Sequence, residues 1–486
     1  MAKRSEDGER IVLHKRKKEK KVMSQKQGAL DKFFGITKSG SNMKTEIMAG
    51  ITSFVTIAYV LVVNPQIIGG AAGSDQVANG VFIGTCLASF IGTMLCSLYA
   101  KVPYVQSTGM GLVSFFAYTV ILGMGYSYGQ ALAIVFIAGV INIILTASGL
   151  RMAMVHSIPE CVKAAMTAGI GLFITIIGLK NAGIVVANDA TFVALVDFAQ
   201  WQTEGANTSV MRGAIVALIG LIIIAVLQVK NVNGNILIGI IAGTIIGIPL
   251  GVTQLSNFDL NIGQKFADFA QTSFLQIDFP GLIKDGNVVG SLFSVGMLVI
   301  SFLLVTIFDA LGTLLGAAKQ AGMVDKDGNA LYMKESMMSD SIATVAASMC
   351  GLSTVSTVVE CGSGIAAGGK TGMTSLTSAL CFLAAIILAP VISIIPSAAT
   401  APALIFVGVL MMGSIKAVDF DKMENALPAF CTVIFMPFTY SIANGVAFGL
   451  ITYTLIKLFT GKIKEVKPVC LGIVIIFIIR YAFMSM

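Results

Sequence analysis

Residues 355–365 read VSTVVECGSGI, an extended run that leads into a glycine-rich turn within an otherwise apolar part of the chain. Residues 102–112 read VPYVQSTGMGL and repeat that order of a β-type run followed by two glycines. Non-helical backbone at membrane depth leaves N–H and C=O groups unpaired, so it is tolerated only inside protein or beside a polar cavity. An ordinary helix break made for packing is the simpler interpretation of either stretch alone. Because the pattern recurs in both halves, it predicts two interrupted membrane segments with half-helices, the third and the tenth.

The composition of the 486-residue chain also indicates a membrane protein. Hydrophobic residues make up 56% and charged residues 12%, and the mean hydropathy is +0.88. A soluble domain is about 45–50% apolar and about 25% charged, so a soluble enzyme, a disulfide scaffold and a disordered regulator are excluded. Eight cysteines lack metal or redox spacing, and two histidines leave almost no material for a metal site or catalytic dyad. We therefore expect neither a metal nor an enzyme.

Apolar stretches define about fourteen crossings, since each needs roughly 20 residues. Three of these crossings are interrupted by glycine or proline, at 102–124, 354–371 and 427–441. A further stretch, 468–486, contains Arg480 and is predicted either to cross or to lie against the bundle. The eleven uninterrupted stretches are 47–69, 78–99, 130–149, 163–180, 212–229, 234–252, 290–318, 336–352, 372–395, 396–415 and 442–460.

The distribution of charge predicts the orientation. Thirteen of the 32 lysines and arginines fall in the first 44 residues, and we interpret 1–44 as a basic cytoplasmic tail rather than a patch for nucleic acid or anionic lipid. With that tail inside, most other loop lysines also fall inside, as the positive-inside rule requires. The two longer polar loops, 181–211 and 253–289, then lie outside.

The two halves of the chain resemble each other in order. Gly109–Leu112 matches Gly362–Ile365 at a spacing of 253 residues, and residues 68–72 echo residues 314–318 at 246. Two repeats of about seven spans each follow, and an odd number inserts the second repeat in the opposite direction. Inverted repeats with paired interrupted segments are typical of secondary transporters, which bind substrate near the bilayer midplane.

Two acidic residues inside apolar spans, Asp309 and Glu360, are the candidate site residues. A buried carboxylate is costly unless it is paired, hydrogen-bonded or protonated, which suits a proton-coupled transporter; a satisfied structural carboxylate is the alternative. Asp340 is interpreted as structural. The backbone N–H groups near Gly109, Gly111, Gly362 and Gly364 are predicted to face acceptor atoms of the ligand, because helix N-termini attract electronegative groups. Phe115 or Tyr104 is predicted to stack on it.

Residues 364–371, GIAAGGKT, match the G-x-x-x-x-G-K-[ST] phosphate-loop pattern. A nucleotide-driven pump needs a soluble α/β domain around such a loop, and the sequence that follows is a membrane span. We therefore interpret the stretch as a glycine-rich connector with Lys370 at the cytoplasmic surface.

Several short motifs in order give the chain a resemblance to the AzgA-like purine permease branch of the nucleobase–cation symporters, over about residues 29–467. The matching stretches are Ala29–Phe34, Ala58–Val60, Val63–Pro65, Gly109–Leu112, Gly169–Phe173, Phe308–Ala310, Gly312–Leu314, Val359–Glu360, Gly368–Gly372 and Ala401–Leu404.

The resemblance implies an all-α polytopic fold of fourteen segments in a 7+7 inverted repeat, with short β-type stretches. A core domain (45–150 and 286–395) would move relative to a gate domain (151–285 and 396–467) as an elevator. Proton-coupled purine uptake would follow, with the proton as the coupling ion and no cofactor. Asp309 and Glu360 would contact or organise the substrate, and the internal alignment makes Ser107 the counterpart of Glu360. The resemblance implies a plasma-membrane location and is compatible with a homodimer.

The chain departs from the family pattern at positions that bear on which purine it transports. Val113 stands where many hypoxanthine/guanine members have Asn, and Thr306 where they have a second acid. Ala310 and Lys370 also resemble the adenine branch, whereas Gly109–Leu112 resembles the hypoxanthine/guanine branch. Losing an amide and a carboxylate removes hydrogen-bonding groups, which favours adenine. The alternatives are a same-fold transporter of uracil, xanthine or an anion and, from another class, an intramembrane enzyme or a nucleotide-driven pump.

Overall fold

A computed structural model describes residues 28–151, 157–198, 206–255, 261–283, 288–325 and 330–483. Most of the predicted basic tail lies outside the described residues, as do both histidines, His14 and His156. The described chain is helical apart from two small antiparallel sheets and one isolated bridge.

A short surface helix precedes the first repeat, whose segments 1–7 follow in chain order. The elements up to segment 7 are α1 (Ala29–Phe34), α2 (Met43–Ile57), α3 (Val60–Ala72), α4 (Asp75–Leu95, continued as π-helix to Ala100), β1 (Gln106–Thr108), α5 (Met110–Ser114, continued as π-helix to Gly123), α6 (Tyr128–Ala147), α7 (Glu160–Asn181), β2 (Val185–Asn188), β3 (Phe192–Leu195), α8 (Ala206–Val229) and α9 (Asn235–Gly247).

A further helix links the repeats, and segments 8–14 follow. The elements are α10 (Ile262–Asp268, continued as π-helix to Ser273), a 3₁₀ turn (Pro280–Leu282), α11 (Val288–Gln320), α12 (Met333–Met349), β4 (Val355–Thr357), a 3₁₀ turn (Val359–Cys361), α13 (Gly362–Ala366), α14 (Gly372–Ala384, then 3₁₀ to Leu388), α15 (Ala389–Ile392), α16 (Ser397–Met412, then 3₁₀ to Ala417), α17 (Met423–Phe438), α18 (Ile442–Phe459), a 3₁₀ turn (Ile463–Glu465) and α19 (Pro468–Phe483).

The described chain provides fourteen segments, nine of them by length and composition and five by their place in the 7+7 fold. Nine helices in the described chain are long and apolar enough to span a membrane. The remaining five segments are α9, α12, α17 and the two that contain a strand and a half-helix, β1–α5 and β4–α13. The prediction of interrupted segments 3 and 10 is therefore confirmed.

The strands of the two interrupted segments pair with each other. Ser107 of β1 lies opposite Ser356 of β4, in an antiparallel register that also joins Gln106 to Thr357. Because each strand has only one strand neighbour, side chains complete its hydrogen bonds. Thr93 of α4 accepts from the Gln106 N–H (3.1 Å), and Asp340 of α12 accepts from the Thr357 N–H (3.1 Å). Side chains thus accept from one N–H group of each strand, which helps to pair backbone that lies at membrane depth.

Asp340 has the structural role that the sequence suggested. Its Oδ1 accepts from the Thr357 hydroxyl (3.0 Å) and from the Gln106 side chain as well as from the Thr357 N–H, and the residue is fully buried. One carboxylate oxygen of the second repeat therefore holds both strands where they cross.

The predicted outer loops contain regular structure. β2 and β3 form a hairpin within 181–211, and α10 lies within 253–289. The α10 residue Asp268 accepts from Asn79 of α4 at 2.8 Å, so α10 packs on segment 2 instead of standing free in solvent. Polarity made these stretches look like plain loops, because a short hairpin and a short packed helix carry few apolar residues.

The loop cations define one side of the bundle, here called the lysine-rich face: the ends of segments where Lys101, Lys230, Lys416 and Lys462 lie. Arg151 departs from that surface pattern. It is 1% exposed, and its guanidinium donates to the Met337 carbonyl of α12 at 3.0 Å.

The stretch that matches a phosphate loop does bind an anion, and that anion belongs to the chain itself. The Glu46 carboxylate of α2 accepts from the Lys370 and Thr371 N–H groups at 3.1 and 3.2 Å, and from the hydroxyls of Thr371 and Thr374 at 2.9 and 2.6 Å. Glu46 is fully buried, whereas Lys370 is exposed. The loop is therefore a connector whose backbone donors are already occupied.

Candidate functional site

A cavity of about 640 Å³ lies where the interrupted segments meet α7, α8, α9 and α16. One wall consists of Tyr59, Gly109, Asp309 and Glu360, and the other includes residues of α7, α9 and α16. Residues 231–233, which lie in a loop on the lysine-rich face, also line the cavity. Its size falls within the range of roughly 300–1,000 Å³ that small-molecule sites occupy.

Glu360 enters this cavity from the 3₁₀ turn between β4 and α13. The Tyr59 hydroxyl donates to Glu360 Oε1 at 2.7 Å, and the Ser363 hydroxyl donates to the Glu360 carbonyl at 2.8 Å. Among the described residues, no donor contacts Glu360 Oε2. The side chain is therefore fixed at one oxygen and offers the other to the cavity.

Asp309 lies on α11, half-buried in the same wall. A Cβ atom added to Gly109 would lie 3.3 Å from Asp309 Oδ2, so the carboxylate approaches the start of the segment 3 helix closely. Glu360 lines the same cavity. The structure thus brings together two acids that are 51 positions apart in the chain (360 − 309).

The helix of segment 3 supplies donors to the cavity. It runs unbroken from Met110 to Gly123, and Gly109, Met110, Gly111 and Leu112 line the cavity. The Val113 N–H makes the first intrahelical bond, to the Gly109 carbonyl at 3.0 Å. The three N–H groups before it have no intrahelical acceptor, and the positive end of the helix dipole points the same way.

The second repeat does not mirror this arrangement. Gly362 lines the cavity, but its N–H donates to the carbonyls of the preceding 3₁₀ turn, so it does not face a ligand as predicted. Gly364 does not line the cavity. A Cβ there would collide with the Ser53 hydroxyl and the Ala49 carbonyl of α2, so this glycine permits close helix packing.

The structure places the other predicted site residues away from the cavity. Ser107 is fully buried and its hydroxyl bonds to that of Ser89 at 2.9 Å. Phe115 is fully buried, with its ring edge-on to Phe302 at 4.8 Å between centroids. Tyr104 is 1% exposed and its hydroxyl has no hydrogen-bond partner among the described residues. The sequence predicts these polar and aromatic residues as ligands, whereas in the structure they are buried and pack around the strand.

The predicted equivalence of Ser107 and Glu360 stays a prediction. The strand register sets Ser107 opposite Ser356, but facing positions in an antiparallel pair do not show which residues of the two repeats correspond. One residue, Gly109, separates β1 from α5, whereas four, 358–361, separate β4 from α13. The three additional residues form the 3₁₀ turn that carries Glu360, so the two strand-to-helix connections differ in length.

Sequence reasoning missed two features of the site. Tyr59 contacts Glu360 from 301 residues away, and its sequence signal was only a family motif around residues 58–60. The side-chain amides of Gln228, Asn231, Asn233 and Asn235 line the mouth of the cavity, a cluster visible as an amide-rich run between two apolar spans. In the described chain, no three His, Cys, Asp or Glu side chains group as a metal site requires.

Comparison with known proteins identifies close relatives of full length. A putative permease of Methanocaldococcus jannaschii is 42% identical and is covered to 99%, with 94% of this chain aligned. Guanine/hypoxanthine permease PbuO of Bacillus subtilis is 37% identical, covering 92% of this chain and 99% of its own length. Adenine permease AdeP of Escherichia coli is 35% identical, covering 94% and 97%.

Solved structures show the same fold at low identity. The transmembrane domain of a cyanobacterial bicarbonate transporter, BicA, superimposes with a TM-score of 0.57 at 18% identity, over 83% of this chain and 97% of that domain. The murine anion transporter Slc26a9 in its inward-facing state gives 0.58 at 13% identity, over 90% and 73%. These similarities show the 7+7 inverted-repeat fold alone.

The family model that matches residues 44–448 is described as a permease family, and the relatives at 30–42% identity are permeases and transporters, not enzymes. The chain therefore belongs to this permease family of nucleobase–cation symporters, as its sequence motifs indicated.

Proposed function

We propose that this permease takes up a purine base, adenine or hypoxanthine/guanine, together with protons. The observation that carries the proposal is the convergence of Asp309, Glu360 and the N-terminal end of the segment 3 helix on one cavity. A purine presents ring N–H donors and ring nitrogen acceptors on its edges, so it needs both kinds of partner. The named relatives AdeP and PbuO, permeases for adenine and for guanine/hypoxanthine, support this substrate class.

Glu360 would accept from an N–H group of the base through Oε2, its oxygen without a donor. The backbone N–H groups of Met110, Gly111 and Leu112 would donate to a ring nitrogen. Two carboxylates in one cavity disfavour an anionic substrate, because each would repel it. A neutral planar base with N–H donors fits this cavity better than an anion of the kind that other transporters of this fold carry.

We base proton coupling on the pair of acids that line one cavity within the membrane-spanning bundle. A carboxylate in such a place is costly unless it is paired, hydrogen-bonded or protonated. We propose that Asp309 and Glu360 hold the coupled proton, with Asp309 also organising the site. The base and the proton would then enter together.

The movement we propose is that of an elevator, in which segments 1–4 and 8–11 carry the base past segments 5–7 and 12–14. The cavity lies between those two sets and reaches the lysine-rich face. Towards the other face, contacts join the sets: the Thr119 hydroxyl donates to the Tyr440 carbonyl at 2.7 Å, and Asn181 donates to the Tyr118 hydroxyl at 3.0 Å. With the lysine-rich face and the amino-terminal tail in the cytoplasm of a plasma-membrane protein, this is an inward-open arrangement.

The test is uptake of radiolabelled adenine, hypoxanthine and guanine in cells that lack their own purine permeases, with and without a protonophore. We expect accumulation of at least one base and its loss when the proton gradient is collapsed. Uptake unaffected by the protonophore would contradict proton coupling. Correct membrane insertion without uptake of any of the three bases would contradict the purine proposal.

A further inference from the structure

Tyr59 is joined to the proposed substrate carboxylate by a hydrogen bond between segments of different repeats. It lies in the turn between α2 and α3, is 2% exposed, and its hydroxyl donates to Glu360 Oε1 at 2.7 Å. The bond is short and charge-assisted, the class of hydrogen bond about twice as strong as a neutral one. No other side-chain donor in the described chain contacts the Glu360 carboxylate.

We propose that Tyr59 is a positioning residue for substrate binding, which holds Glu360 in the rotamer that aims Oε2 into the cavity. This inference rests on the proposed function. The 3₁₀ turn fixes the Glu360 backbone through the Ser363 hydroxyl and the Gly362 N–H, but it leaves the side-chain torsions free. A glutamate side chain loses substantial rotamer freedom when it is fixed. The Tyr59 hydroxyl restricts the rotamers of Glu360 before the base arrives. Binding of the base therefore does not have to offset that loss of side-chain entropy.

Tyr59→Phe tests the inference, because it removes only the hydroxyl and keeps the ring. We expect the KM for the transported base to rise by about tenfold, the effect of losing a hydrogen bond to a charged group, with Vmax changed little. Equilibrium binding of the base to purified protein should weaken by the same factor. The melting temperature of the purified variant should fall only modestly, since the variant loses one buried hydrogen bond and keeps the ring.

The matched control is Tyr104→Phe, which removes a buried hydroxyl that has no partner among the described residues and does not line the cavity. Its KM and Vmax should match those of the parent. An unchanged KM in Tyr59→Phe, or a fall in Vmax alone, would overturn the inference while the parent still transports. Failure of the parent to transport any purine would instead overturn the proposed function.

An independent observation concerns the C-terminal helix. α18 runs from Ile442 to Phe459, and α19 begins at Pro468 after a short link on the lysine-rich face. The Tyr481 hydroxyl near the end of α19 donates to Asn444 Oδ1 at 2.9 Å, and the two aromatic rings of Tyr481 and Phe448 lie 5.6 Å apart. α19 therefore runs back along α18 to the opposite end of segment 14.

We infer that α19 is a fifteenth crossing, which places residue 483 on the face opposite the link 460–467. Its 16 residues are about 24 Å long at 1.5 Å per residue, close to the hydrocarbon thickness of about 30 Å. Residues 468–479 carry no charge. One side of α19 packs on the bundle and the other exposes apolar side chains that acyl chains would cover, namely Val469, Leu471, Ile475, Ile476, Ile478 and Ile479.

An epitope placed after Met486 in the full-length chain tests this topology, with a matched chain that carries the epitope between Gly461 and Lys462. We expect the C-terminal epitope to bind antibody in cells whose plasma membrane is intact and whose outer envelope lets antibody through. The loop epitope should bind only after the plasma membrane is permeabilised. Equal behaviour of the two epitopes would overturn the inference. Purine uptake by each tagged chain shows separately that it is folded.

Discussion

The interrupted segments 3 and 10 share a scaffold and differ in what they present. Each has a three-residue strand that pairs with the other at the centre, followed by a helix that starts beside the cavity. Segment 3 passes from strand to helix through Gly109 alone and offers backbone N–H groups. Segment 10 inserts a 3₁₀ turn and offers the Glu360 carboxylate. A symmetric backbone therefore carries an asymmetric set of a donor and an acceptor, which suits a substrate that is itself asymmetric.

The same division appears in the residues that support the strands. The first repeat uses the Thr93 hydroxyl against the Gln106 N–H, and the second uses the Asp340 carboxylate against the Thr357 N–H. Asp340 of segment 9 supports the strands, and Glu360 of segment 10 lines the cavity, so the second repeat supplies both. An acid packed against the strands, as Asp340 is, supports them, whereas an acid in the turn beyond the strand, as Glu360 is, lines the cavity.

The largest expected effect comes from removing the charge that segment 10 presents. Glu360→Gln should lower Vmax/KM for the transported base by roughly 10- to 150-fold, since hydrogen bonds to charged groups contribute about 1.5–3 kcal/mol. Asp309→Asn should have an effect of similar size. Uptake assays on membranes with equal protein content measure both, and Asp75→Asn, at an exposed site, is the control. Normal uptake by both cavity variants would show that transport does not need the two carboxylates, and the difference between segments 3 and 10 would then have no role in the mechanism.

Asp340 tests whether an acid of the second repeat supports the fold. Asp340→Ala leaves the Thr357 N–H and the Gln106 amide unpaired, and each buried unpaired group costs about 1–3 kcal/mol. We expect a large fall in the melting temperature of the purified protein and in its yield. Asp340→Asn keeps an acceptor oxygen and should retain both fold and uptake. A stable Asp340→Asn variant that no longer transports would show that the charge itself takes part in transport.

The paired glycines offer a comparison within segment 10. Gly364→Ala forces a Cβ against the Ala49 carbonyl and should destabilise the protein by about 1–3 kcal/mol, the usual cost of overpacking. Gly362→Ala meets only the end of the exposed Gln320 side chain and should be tolerated. Thermal unfolding of the two purified variants measures the difference. Equal stability would mean that the α2–α13 contact yields more easily than its backbone geometry indicates.

The smallest effect is expected in segment 3. Ser107→Ala loses a bond of 2.9 Å to Ser89, worth about 1 kcal/mol of stability, and leaves the cavity wall unchanged. Uptake kinetics should stay within about twofold of the parent, well short of one hydrogen bond to a charged group. A loss comparable to that of Glu360→Gln would show that the Ser107 hydroxyl takes part in substrate binding.

The sequence predicted the features that depend on a repeated pattern or on the energetic cost of placing polar groups in the membrane. Interrupted segments recur because a broken helix in lipid is tolerated at few places, and Asp309 and Glu360 stand out because carboxylates are rare in spans. The features it did not predict depend on contacts between distant parts of the chain. The Tyr59–Glu360 bond spans 301 residues, and the burial of Arg151 depends on how α12 covers it. The 3₁₀ turn that carries Glu360 was not visible in the glycine spacing either.

The carboxylate of Glu46 has a consequence for any account of movement. It stands on segment 1 of the first repeat. Three of its four donors stand on the connection that leads into segment 11 of the second, and the fourth, the Thr374 hydroxyl, stands in the first turn of that segment's helix. Pulling these two segments apart would leave a buried charge without its partners, which costs about 3–5 kcal/mol. Thermal fluctuations do not supply that energy at every transport cycle without a large loss of rate. Segments 1 and 11 must therefore travel as one rigid piece, so chemical cross-links placed between them should leave the turnover rate unaltered.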